Sequence, residues 1–580
     1  MPGIKPFRCI KFYPLILLTC IIIIQGCAGQ VNILPALEES TPINDQEGIV
    51  VARIINASGN PLPFNQLTIN PENLNESKSI KPERLLAAKP KLNGTTVFAS
   101  YVKPGNYSLS SIRAFYANGN GWYSRFVSAN EKLGTFSVNQ GEVTDLGTLI
   151  YYPKPQGDRY LDLLIRAPES EKGEVLTKYF PFLKYNPEVL NGWHVDENDE
   201  ERESTYISIA QNPVTYNEQY VSPANSIYFL GKIGVFIKRT SEGEWELDAV
   251  DTNHELTAIA QNKNGDLVVG GSEGALFWRP AFGDWLDISL EHNSHVEHLR
   301  MLDTGEIEIL VARDFELDIL RGAVSGSDVQ WRLINRYSTN SSKRWDHRLE
   351  AEIKNKQAHS KKIDRHIYNT TLFELNGQNY INIRNHSIYE NTVFATINSE
   401  IFIYNPDNWM IERSVNDFEF SAIIDAGAVQ LGIEKAGFWS LSGKPTYHKI
   451  DQNGAQNKIT TYIRSCPDNK SPKNSCRKKS FTFRSVPWFS NKNDAIAIVS
   501  FALNSFSGGT RDTEVKILTT TDGGESWVAT ENEPPTDYCT SIVPQIADRL
   551  LVSCDGANGD FYESTDFGAN WHQVRQQDNF

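Results

Sequence analysis

The spacing of hydrophobic and polar positions changes several times along the 580-residue chain, and each change marks a boundary. An apolar run from Leu15 to Ile24 follows Lys5, Arg8 and Lys11. It is shorter than the roughly 20 residues a membrane-spanning helix needs, and basic residues ahead of a short apolar run are the layout of a secretory signal. Residues 28–45 are polar and without period, which reads as a tether. Between 46 and 155, stretches such as GIVVARIIN, TVFASYVK, YSLSSIRAFY and TDLGTLIYY are β-rich and separated by Gly, Pro and Asn, predicting a small β-sandwich. Residues 156–204 turn to helix formers and charge and predict a helical, acidic linker. Its carboxylates from Asp196 to Glu203 read as a solvated face, because neither EF-hand spacing nor a loop glycine accompanies them.

From 205 to 580 one hairpin recurs: an apolar strand, a polar turn, then an aromatic residue opening an alternating strand. The aromatics are Trp245, Trp285, Trp331, Trp409, Tyr447, Trp527 and Trp571. Spacings of 40, 46, 38 and 44 residues suit four-stranded propeller blades. The intervals of 78 and 80 residues after Trp331 and Tyr447 each hold a blade with an insertion, or hide a further blade. The expected fold is therefore mainly β, an N-terminal sandwich followed by a propeller of about seven blades and no more than nine.

Three resemblances refine this reading. Ile24-Gln25-Gly26-Cys27 resembles the bacterial lipobox, which implies cleavage before Cys27, acylation of its sulfur and a membrane anchor made of lipid. Ala28 and Gly29, in place of an Asp after the cysteine, imply sorting to the outer membrane, on its periplasmic side or at the cell surface. The runs VKPGNYSLSSIRA and FSVNQGEVTDLGTLIYYP resemble carboxypeptidase-regulatory or prealbumin-like sandwiches, which implies a spacer or binding module. Finally, Thr520-Thr521-Asp522-Gly523-Gly524-Glu525-Ser526-Trp527 and Ser564-Thr565-Asp566-Phe567-Gly568-Ala569-Asn570-Trp571 match the Asp-box (BNR repeat) of sialidase-like and sortilin-like propellers. Its chemistry is structural. Asp522 and Asp566 can accept backbone N–H bonds in a tight turn, Gly524 and Gly568 permit positive φ, and Trp527 and Trp571 fill space between blades.

Cysteine and charge add candidate sites. Cys466, Cys476, Cys539 and Cys554 are an even set in an exported chain and predict two local disulfides. Cys539 and Cys554 would stand at neighbouring ends of the first two strands of the last blade, and Cys466 would pair with Cys476. The net charge of −15 becomes about −18 once the three signal cations are removed, which argues against a nucleic-acid partner. Against that background two insertions, near 336–370 and 455–485, are basic. The first carries Lys361 and Lys362, the second Arg477, Lys478 and Lys479. On a common face they would make a focused positive surface for an acidic protein, a lipid headgroup or a polysaccharide. His292, His295 and His298 read as part of a strand, where residues three apart point to opposite faces, so no metal is expected there. No HExxH or Walker-type run occurs and no cofactor is implied. The expected function is a membrane-tethered, non-enzymatic binding or assembly scaffold in the cell envelope. The alternative, a glycoside hydrolase of sialidase-like type, follows from the propeller resemblance alone. Its first-blade arginine motif has only Phe483-Arg484-Ser485-Val486-Pro487 as a counterpart, one residue too long and late in the chain, so no catalytic residues are assigned.

Overall fold

The computed structural model describes residues 31–575 apart from connecting stretches, the longest being 73–80, 339–362, 435–445, 466–476, 503–512 and 531–538. Cys27, Lys361, Lys362, Cys466 and Cys476 lie outside the described residues.

Seven four-stranded antiparallel sheets form a ring, which makes the propeller seven-bladed. Blade 1 runs from Tyr216 to Ala249, blade 2 from Leu256 to Asp287, blade 3 from Ser294 to Ser338 and blade 4 from Ile363 to Ser414. Blade 5 covers Phe420–Lys458, blade 6 Thr482–Ala529 and blade 7 Cys539–Arg575. In blade 6 the first strand is broken into Thr482–Phe483 and Trp488–Phe489, both paired with Ala495–Ala502. The strand Ala495–Ala502 shows why such sequences make blades. Ala495, Ala497, Val499 and Phe501 face the core shared with blade 5, while Ile496 and Ile498 face blade 7. Both faces are buried, so the strand is apolar throughout instead of alternating.

The recurring aromatics pack in the cores between and within blades. Six of them stand at or just before the fourth strand of their blades. Tyr447 differs from the expected register, because it opens the third strand of blade 5, Tyr447–Ile450. Aliphatic Ile459 fills the same core from just beyond that blade's fourth strand.

The two turns at 520–527 and 564–571 are built alike. The Thr520 hydroxyl accepts from Gly524 N (3.0 Å) and donates to Asp522 Oδ1 (2.7 Å), and Asp522 accepts from Ser526 N at 2.9 Å. In the second turn Ser564 Oγ accepts from Gly568 N (2.8 Å) and Asp566 from Asn570 N (2.7 Å). Gly524 and Gly568 have φ of +92° and +88°. A Cβ at Gly568 would also lie 2.7 Å from Ile496 Cδ1, so both conformation and space select glycine. Hydrogen bonds from the Asn570 side chain and backbone hold the Asp566 carboxyl down at about 2. For Asp522, burial works upward but is outweighed by the bonds from Ser526 and Thr520, leaving it below its usual range. Cys539 and Cys554 are paired across the first two strands of blade 7 and joined by a disulfide, as the spacing predicts.

The N-terminal unit is a ten-stranded, mostly antiparallel sheet around one core containing Phe64, Phe98, Phe136 and Tyr151. Its two ends meet where Arg125 Nη2 bonds Asp162 at 2.5 Å. Two boundaries differ from expectation. The sheet extends to Arg166, since Arg159–Arg166 folds back on Val143–Gln156, so the linker is shorter than 156–204 and its first residues are strand. Its helical parts are α1, Glu174–Tyr179, and α2, Asp199–Gln211. At the start of α2 Arg202 bonds both Asp196 and Asp199. The expected tether is also largely docked. Asn32–Leu34 pairs in parallel with Glu83–Leu85, and Leu37 is buried against Val51, Ala99, Val175 and Phe180. Leu37 docks because the sheet and α1 together give it an apolar site; such a partner is invisible to local pattern.

Candidate functional site: the elaborated face of the ring

In each blade the chain enters on the first strand and leaves on the fourth, and successive strands alternate in direction. First strands of neighbouring blades touch, as between Tyr216–Val221, Leu256–Gln261 and Ser294–Met301, so they line the middle of the ring. All connections from a fourth strand to the next first strand, and all those from second to third strands, therefore emerge on one face. The remaining turns, including 520–527 and 564–571, lie on the other.

The chain leaves and re-enters the ring on the first of these faces at both basic stretches. One joins Ser338 at the end of blade 3 to Ile363 at the start of blade 4, and the other joins Lys458 of blade 5 to Thr482 of blade 6. Blade 4 is extended on the same side. Its second strand runs on to Tyr389, paired with Ile363, and its third begins at Ala395 opposite Ile388.

The N-terminal unit sits on this face over blades 1 and 2. Arg53 Nη2 lies 2.9 Å from His254 Nδ1 and 3.4 Å from Glu273 Oε1. Lys178 Nζ, at the end of α1, is 3.3 Å from His254 Nε2 and 3.6 Å from Glu273, and the Tyr179 hydroxyl donates to Glu273. Tyr206 of α2 donates to Asn253 Oδ1 at 2.6 Å, and Ile209 packs with Ile233. His254 and Asn253 belong to a fourth-to-first connection, Ile233 and Glu273 to second-to-third ones. Arg53 and Glu273 have side chains only 4% exposed, so separating the units would strand a buried charge. Sequence reading missed this cluster, whose members are 201 and 220 residues apart and carry no motif.

The second insertion is more ordered than a loop. Tyr462–Ser465 and Arg477–Ser480 form a hairpin in which Ser465 stands opposite Arg477. Arg477, Lys478 and Lys479 therefore lie on a strand, not on the exposed loop expected of them; the period of RKKS is too short to reveal one. Lys478 is exposed with its ammonium 4.3 Å above the Tyr462 ring. Lys479 bonds Glu514 at 2.7 Å and lies 4.4 Å over Phe501. Lys479 first, then Lys516, holds the Glu514 carboxyl below its usual range against the cost of burial. Part of the positive charge of the cluster is thus compensated locally, and Lys478 is the more available cation.

The histidines behave differently from a regular strand. A bulge between Val296 and His298 shifts the register, so His295 pairs with Ala312 and His298 with Leu310. Ala312 and Leu310 both face blade 4, which turns His295 and His298 to the same side, correcting the alternation expected from spacing. Glu297 accepts from Thr370 N at 2.7 Å and lies 3.5 Å from His295 Nε2. Burial holds His298 below the usual imidazole range, opposed by Glu297 and the Thr370 backbone. Among the described residues no group of three His, Cys, Asp or Glu has a metal-binding arrangement.

No protein-family model matches the chain, and no curated protein does. Solved structures similar to it include the β-propeller domain of Cps50 (Swd1) from Myceliophteria thermophila, at 7% identity over 59% of this chain and 95% of that one, with a TM-score of 0.32. A second is YCF48 bound to D1 peptide, at 10% identity over 61% and 97% and a TM-score of 0.29. A third is BamB from Moraxella catarrhalis, at 8% identity over 58% and 81% and a TM-score of 0.27. The likeness of this chain to known structures is that of one β-propeller to another.

Proposed function

We propose that the chain is an envelope lipoprotein, acylated on Cys27 and held at the outer membrane, whose Asp-box propeller serves as a non-enzymatic scaffold for an acidic protein partner. One observation carries the reading. The N-terminal unit, the extended strands of blade 4, the strand ends flanking 339–362 and the hairpin that carries Arg477–Ser480 share one face of the ring, while the opposite face carries mostly short turns among the described residues. In an acidic protein, positive charge gathered on one face steers and orients a negatively charged partner. Rigid propeller faces with elaborated connections supply a broad area without demanding a catalytic set, and the N-terminal sandwich-like unit enlarges that area.

The test is capture from envelope membranes after mild crosslinking, followed by charge neutralisation. Replacing Arg477 and Lys478 with Gln, then Lys479, Lys361 and Lys362 as well, should weaken partner binding in steps, and wild-type binding should fall with salt. Lys479→Gln also releases Glu514 and is scored separately. Unchanged affinity of the five-site variant at low salt, on protein with an unaltered melting temperature, would overturn the assignment of this face. Dependence of binding on a polysaccharide instead of a protein would replace the partner class by a glycan. Hydrolysis of a fluorogenic sialoside would favour the hydrolase alternative.

A further inference from the structure

We infer that the elaborated face is turned toward the bilayer from which the chain hangs, so that the partner it takes is one displayed at that membrane surface. This rests on the acylation of Cys27 proposed above and goes beyond it by orienting the ring.

The anchor has little slack. From Asn32 onward the chain is fixed to the N-terminal unit. Asn32 N donates to Pro82 O (2.9 Å), Ser100 Oγ donates to Pro35 O (2.9 Å), and Leu37 N donates to Ala99 O (2.8 Å). Only residues 28–31 lie between Cys27 and Asn32, which makes five Cα–Cα steps. Fully extended they reach about 18 Å, so an acylated Cys27 keeps the Asn32–Leu34 strand within that distance of the headgroups. A free run of 28–45 would have reached several times farther in contour.

The anchored strand is linked to the ring through few intermediates. Leu37 packs on Val175 and Leu176 of α1, and the next turn of that helix, Lys178 and Tyr179, meets Glu273 on the elaborated face. The N-terminal unit therefore stands between bilayer and ring over blades 1 and 2, and the basic connections of blades 3 to 6 open to the same side. Charge agrees with this placement. The acidic body would be repelled by anionic headgroups, and the face nearest to them is the one that carries the basic insertions. The opposite face, with the 520–527 and 564–571 turns and the fully exposed Phe282, then looks away from the membrane.

The test uses the acylated full-length protein reconstituted in vesicles whose headgroups carry an energy acceptor. A fluorescent amino acid replaces Lys478 on the elaborated face in one sample and Phe282 on the opposite face in another. The donor at 478 should lose more emission to the acceptor than the donor at 282. Equal transfer, or greater transfer from 282, overturns the orientation. A flexible Gly/Ser insertion between Gln30 and Val31 should abolish the difference by lengthening the leash; a difference that survives it would overturn the role given to the short slack. Mass spectrometry of the N-terminal peptide precedes both measurements. Absence of acyl chains on Cys27 would remove the anchor reading itself, a failure distinct from wrong orientation in a protein that is acylated.

Discussion

Arg239 in blade 1 and Glu563 in blade 7, 324 residues apart, form a buried ion pair across the closure of the ring, with side chains 7% and 9% exposed. Phe229 and Phe561 meet beside them edge to face at 4.8 Å, with Trp245 completing the contact. All four strands of each closing blade come from one continuous stretch of chain, so among the described residues no strand is exchanged across the seam and side-chain contacts such as these hold it. Removing one partner of a buried pair leaves an uncompensated charge and costs about 3–5 kcal/mol. Glu563→Leu and Arg239→Met should each lower the melting temperature sharply, whereas the double variant that combines them should recover much of the loss. Additive losses in the double variant, measured by thermal unfolding, would contradict a coupled pair.

Trp527 and Trp571 occupy equivalent turn positions but not equivalent environments. Trp527 is buried among Tyr447, Ile459, Phe481 and Phe483, while Trp571 is half-buried at the edge of the core between blades 6 and 7. Trp527→Ala should cost about 3–5 kcal/mol, the range for emptying a large aromatic site, and Trp571→Ala clearly less. Chemical denaturation of the two variants ranks them directly.

The depressed Asp566 carboxyl sets a pH dependence of definite sign. Its folded value of about 2 lies below its ordinary value of 3.8, so its contribution to stability is present above pH 4 and lost as the pH falls toward 2. Asp566→Ala should lower stability at neutral pH and narrow its gap to wild type as acid is added, without affecting partner binding, because the turn lies on the face opposite the basic insertions. Loss of binding at an unchanged melting temperature would contradict a purely structural turn.

Asp145 in the N-terminal unit has the opposite sign. Burial pushes its carboxyl from 3.8 up to about 6, although Gly147 N donates to Oδ1, and its Oδ2 has no hydrogen-bond partner among the described residues. A buried acid raised in this way lowers stability as the pH climbs from about 4 through 6. Asp145→Asn keeps the acceptor for Gly147 and removes the charge, so it should raise the melting temperature at pH 7.5 and leave it nearly unchanged at pH 4. Stabilisation of equal size at both values would exclude the charge as the cause.

Much of the architecture follows from local chemistry. Blade spacing is legible in the aromatics, the two turns in Thr520, Asp522, Gly524 and their counterparts, and the disulfide in the positions of Cys539 and Cys554. These depend on residues a few places apart, or on one hairpin, which sequence order preserves. Only the tertiary structure decided the rest. Whether Leu37 dangles or docks depends on a groove formed by residues from Val51 to Phe180. The shared direction of His295 and His298 depends on one bulged residue, which shifts every later side chain to the other face. Which insertions stand together depends on alternating strand direction accumulated over seven blades and on the closure at Arg239 and Glu563, since a ring gives two faces to connections that in the sequence are simply far apart.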